Sequence, residues 1–98
     1  RDGRRNFVLS PNQRINIDLG KLNRFFKKKR FGIQSAGQLG TAFKPSGDIQ
    51  ACILKSGIMI AQTPPDTKEE IKDSVFEIYR SIMVDGLSLS PDILPTLE

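Results

Sequence analysis

Residues 48–62 read Asp48-Ile49-Gln50-Ala51-Cys52-Ile53-Leu54-Lys55-Ser56-Gly57-Ile58-Met59-Ile60-Ala61-Gln62. Two almost continuously apolar runs, 48–55 and 58–62, flank Ser56-Gly57, and a small pair ending in Gly between apolar runs is the pattern of a β-hairpin. Downstream, Pro64-Pro65 breaks the chain, and a helix is expected over 67–84. Asp66 is placed as its N-cap, with Glu69 three residues later completing a capping box. Ile71, Val75, Ile78, Tyr79 and Ile82 fall on one apolar stripe, and Tyr79 is expected in the core with its hydroxyl at the rim. Glu69, Glu70 and Asp73 in the early turns and Arg80 near the end suit the helix dipole. Gly86 is the expected stop.

Upstream, Arg14-Ile15-Asn16-Ile17-Asp18-Leu19 alternates strictly, which predicts a half-buried strand ended by Gly20. The period then changes. Leu22, Phe25 and Phe26 fall at helical spacing over 21–30, with Gly32 as the expected C′ residue. Glycines at 32, 37, 40 and 47 break up the next stretch, where one strand is expected over 38–43. Phe7-Val8-Leu9 is a short apolar run stopped by Ser10-Pro11-Asn12. The sum is an α+β domain ordered β-β-α-(β)-β-β-α, a small antiparallel sheet with two helices packed on one face. Residues 1–6 read as a linker or frayed end, 7–86 as the domain and 87–96 as a C-terminal tail. Leu97-Glu98 matches the dipeptide left by joining to a purification tag, so the chain reads as a domain cut from a longer protein.

Charge is unevenly spread. Residues 1–44 hold eleven Lys/Arg against two acids, while 45–98 hold four against nine. One side of the molecule is therefore expected to be basic and the other acidic. There is no histidine, which excludes a Ser-His-Asp triad and any zinc site that uses histidine. The lone Cys52 cannot close an internal disulfide. Within its apolar run it is expected to be buried and inert, and the default location is cytoplasmic. No apolar run approaches the length of a membrane span.

Three stretches could carry chemistry. Phe25-Phe26-Lys27-Lys28-Lys29-Arg30-Phe31 interleaves rings with cations, as a nucleic-acid surface does. The favoured reading is an amphipathic helix with solvated lysines, whose exposed Arg24, Lys27, Lys28, Lys29 and Arg30 form an interaction surface. The glycines of 32–40 lack the Lys that a phosphate-binding loop needs after its second Gly, since Gln38 stands there. Asp66, Glu69, Glu70 and Asp73 are explained by their place at a helix start. No catalytic, cofactor-binding or metal-ligating residue is assigned.

Pro11, Arg14, Ile17, Asp18 and Leu19, then Leu54-Lys55-Ser56-Gly57-Ile58-Met59-Ile60, then Ile78-Tyr79, follow a recurring pattern. A Pro-containing turn leads into an alternating segment and short helix, then a hairpin, then a helix with Tyr near its end. Over residues 7–84 this resembles the C-terminal accessory region of ThiF/MoeB/HesA-type adenylyltransferases, with departures at Ile58 and at Pro64-Pro65. Those enzymes use ATP and Mg to activate ubiquitin-like sulfur-carrier proteins in thiamine or molybdopterin biosynthesis. The resemblance implies a non-catalytic domain whose partners are the parent catalytic domain, a second subunit or a sulfur carrier. Their nucleotide loop, catalytic residues and zinc-ligating cysteines have no counterpart in these 98 residues. A small basic nucleic-acid-binding domain using 25–31 is the alternative.

Overall fold

In a computed structural model of the chain, residues 5–46, 49–64 and 71–95 are described. The elements run β1 (Arg5–Leu9), α1 (Leu19–Lys29), β2 (Gly32–Ala36), β3 (Gly40–Ser46), β4 (Ile49–Leu54), β5 (Met59–Thr63) and α2 (Ile71–Arg80). A π-helical turn, Ser81–Gly86, continues α2, and a short 3-10 turn, Pro91–Ile93, follows. The strands form one antiparallel sheet in the order β1-β5-β4-β3-β2. Both helices pack on one face of it, giving the α+β architecture expected from the chain.

The β4–β5 hairpin forms where the pattern places it, with Ile53 opposite Met59 and Ala51 opposite Ala61. Gly57 has φ 96°, and a side chain there would come within 2.6 Å of Ile15 Cδ1. The turn is thus both left-handed and packed over, and glycine meets both demands. Although β4 and β5 are almost continuously apolar, only alternate residues are buried. Ile49, Ala51, Ile53, Met59 and Ala61 face the helices, whereas Ile60 is 37% exposed on the open face. Cys52, paired with Ile60 and Ala42, lies on that open face and is half-buried, not enclosed as its run suggested. The reason is that a sheet covered on one side buries one side chain in two, whatever its composition.

Residues 14–18 are not a strand. Ile17 is buried and its N–H donates to Lys55 O at 2.9 Å, but no ladder forms. Alternation requires only an extended backbone with one face inward, and this segment meets that by lying across the hairpin turn. Asp18 then caps α1, accepting from Lys21 N at 3.2 Å, so Leu19 opens the helix. The glycine-rich stretch resolves into two strands, β2 and β3, with a register irregularity between Ile33 and Ser35.

The stop of α1 differs from expectation. α1 ends at Arg30, which takes the left-handed conformation (φ 62°) while its N–H reaches Lys27 O. Gly32 is already the first residue of β2. At the other stop the helical run does end at Gly86, but the glycine is needed for space: a Cβ there would sit 2.7 Å from the Phe25 ring. Ser88, two residues later, takes the left-handed conformation (φ 57°). The stretch beyond Gly86, set apart by sequence as a tail, packs against the domain. Leu87 and Ile93 are buried, and Asn12 Nδ2 donates to Leu94 O at 2.6 Å. Asp66, Glu69 and Glu70, with the capping box, lie outside the described residues.

Candidate functional site

The run Phe25-Phe31 divides cleanly by helix geometry. Leu22, Phe25 and Phe26 point inward at the i, i+3, i+4 spacing of one face. Phe26 stacks on Phe43 at 4.2 Å between ring centroids, and Phe31 lies 6.0 Å from Phe43 in a parallel arrangement. Phe25 meets Phe31 edge-on at 6.3 Å. These rings form the part of the core between α1 and the β2–β3 end of the sheet, so the interleaving of rings with cations in sequence becomes a separation in space. Phe31 is half-buried and the other three rings are buried.

Arg24, Lys27, Lys28, Lys29 and Arg30 are all exposed. Lys27, Lys28 and Lys29 occupy the last turn of α1, where the helix carbonyls favour positive charge. Lys29 Nζ lies 5.8 Å from the Phe25 ring centroid, a cation–π contact at the rim of the core. Among the described residues none of the five makes an ion pair, whereas Arg80 of α2 pairs with Glu77 at 2.9 Å. Arg30 adds a backbone observation. A left-handed non-Gly residue costs about 1 kcal/mol relative to glycine, yet a cation stands at this position.

The chain leads directly from this cluster into β2, an edge strand of the sheet. Gly32, Gln34, Ser35 and Ala36 are exposed and Ile33 is half-buried. Lys44 of β3 is exposed and cross-strand from Gly32. The cationic helix end and the Gly32 end of the edge strand are therefore one continuous surface. This edge was not legible in the sequence, because Ile33-Gln34-Ser35-Ala36 has neither strict alternation nor several β-branched residues. Its one signal is Ile33, which pairs with Phe43.

Other candidates resolve differently. Gly37 N donates to Gly40 O at 2.9 Å within the β2–β3 turn, so the glycine stretch is a strand and turn. Asp73 is exposed in the first described turn of α2. No group of three or more His, Cys, Asp or Glu is placed to hold a metal among the described residues. No helix among them is long and apolar enough to cross a membrane. Tyr79 departs from expectation: its hydroxyl is not at the rim but buried, donating to Gly57 O at 2.6 Å. Burial pushes its pKa up to about 12, because the phenolate would form away from water. Comparison with known protein families, curated proteins and solved structures finds no match for this chain.

Proposed function

We propose that this domain is a non-catalytic interaction module that presents the cationic end of α1 to an acidic protein surface. The observation that carries the reading is the set Arg24, Lys27, Lys28, Lys29 and Arg30, exposed together and without ion pairs among the described residues. Neighbouring cations on a helix repel one another, whereas an acidic partner would neutralise several at once. Burial of Phe25 and Phe26, with Phe31 half-buried, favours a protein partner over nucleic acid, since single-stranded nucleic acid gains much of its affinity from stacking on exposed rings.

The resemblance extends this reading to an accessory domain of a ThiF/MoeB/HesA-type adenylyltransferase. The partner is then the parent catalytic domain, a second subunit or a ubiquitin-like sulfur carrier, and ATP and Mg belong to the parent. Such a role fits a cytoplasmic location, where a lone thiol stays reduced. Residues quoted for the resemblance also meet in space, since Pro11, Gly57 and Tyr79 converge at the hairpin turn. The test is to reverse Lys27, Lys28, Lys29 and Arg30 to Glu and titrate the variant against the parent catalytic domain or carrier. Loss of binding is expected. A gel shift with generic single-stranded oligonucleotides at ~150 mM salt provides the contrast, because submicromolar binding there is tighter than the ~10⁻⁴–10⁻⁶ M of nonspecific contacts. Such binding would replace this reading with a nucleic-acid one.

A further inference from the structure

β2 ends the sheet on one side, and among the described residues no strand lies beside its outward backbone groups. Edge strands are usually guarded by charged side chains, proline, a bulge or a covering element. β2, Gly-Ile-Gln-Ser-Ala, has no charge and no proline, and its exposed side chains are small or neutral. The irregularity between Ile33 and Ser35 is the one such device on β2, and it interrupts the edge without covering it. What stands at the Gly32 end is positive charge: Lys28, Lys29 and Arg30 just before it, and Lys44 across from it.

We infer that β2 accepts a short, extended, acidic segment of the partner protein as a sixth strand, with Lys28, Lys29 and Arg30 holding its carboxylates. The inference rests on the proposal that the cationic helix end docks a protein. Backbone pairing supplies affinity in such strand addition, and the neighbouring charges select the segment. A second copy of this chain is the poorer occupant, since each copy would bring the same cations to the joint. Nucleic acid cannot pair with a peptide edge in this way.

The probe is a fluorescein-labelled heptapeptide of alternating glutamate and valine, titrated against the whole 98-residue chain by anisotropy at ~150 mM salt. Two further copies carry backbone N-methyl groups, one on the odd and one on the even residues, because only one set of N–H groups can face β2. The unmodified peptide is expected to bind, to move the ¹⁵N–¹H amide signals of 32–36, and to weaken by about tenfold or more in one N-methylated copy as two or three hydrogen bonds are lost. A comparable loss is expected when Lys28, Lys29 and Arg30 are reversed to Glu. Equal binding by all three peptides, with loss only on charge reversal, would overturn strand addition and leave the docking surface standing. Unchanged binding after charge reversal would overturn the cation-held acidic segment. No binding of the unmodified peptide at ~1 mM would also overturn the inference, and the titration of the charge-reversed domain against its partner would then judge the wider reading alone.

Discussion

Tyr79 is the one tyrosine in a chain without tryptophan, so absorbance near 295 nm reports its ionisation alone. Its hydroxyl is held by Gly57 O beneath the hairpin turn, and its pKa is pushed up to about 12. A free tyrosine ionises near pH 10, so the folded state keeps a proton that the unfolded state releases between those values. Stability from this group is therefore full below about pH 10 and falls as pH rises through about 12. A spectroscopic titration should show no tyrosinate at pH 10.5 in the native protein, with the signal appearing near pH 12 or on unfolding; ionisation at the free value would contradict the buried bond. Tyr79→Phe removes the donor and leaves a buried carbonyl unpaired, for an expected cost of about 1–3 kcal/mol by urea unfolding. Gly57 is the partner constraint, because its left-handed φ and the nearness of Ile15 leave no room for a side chain.

At the scale of elements, α1 ends on a residue that local conformation does not favour. Arg30→Gly should stabilise the fold by about 0.5–1 kcal/mol, provided the arginine side chain contributes little to folding. The same change should weaken partner binding if the surface works as proposed, so urea melts and a binding titration should move in opposite directions. A loss of stability would mean that Arg30 is there for the fold. On the second helical run, Ile82 is buried while Ile78 is only half-buried. Ile82→Ala is expected to cost about 2–5 kcal/mol, and Ile78→Ala distinctly less. Equal costs would mean that the stripe faces the core differently. The widening into a π-helical turn at Ser81–Gly86 accompanies this packing, where Gly86 lets the chain pass against Phe25.

On the scale of the whole molecule, the two ends of the described chain close on each other. Asn12 binds three successive carbonyls, those of Asp92, Ile93 and Leu94, through its side chain and backbone. Leu87 and Ile93 enter the core from the same stretch. A chain ended at Gly86 should therefore lose about 3–6 kcal/mol, the burial of two large aliphatic side chains. Thermal melts of the truncated and full chains would check this, and equal midpoints would show residues 87–95 to be dispensable.

Much of the architecture was legible because it follows from local rules. The hairpin at Ser56-Gly57, the inward face of Leu22, Phe25 and Phe26, and the stripe containing Val75, Tyr79 and Ile82 all follow from period and turn chemistry. The charge imbalance between the two halves of the chain needed only counting. What the sequence could not decide was which extended segments find partners and which apolar residues find cover. Residues 14–18 alternate like a strand yet join no ladder, β2 has no pattern yet pairs with β3, and Cys52 sits in an apolar run yet faces outward. Periodicity reports that a segment is extended or helical and which side is apolar. Pairing, cover and the juxtaposition of the cationic helix end with an open sheet edge arise only when distant segments meet, and the tertiary structure alone decided them.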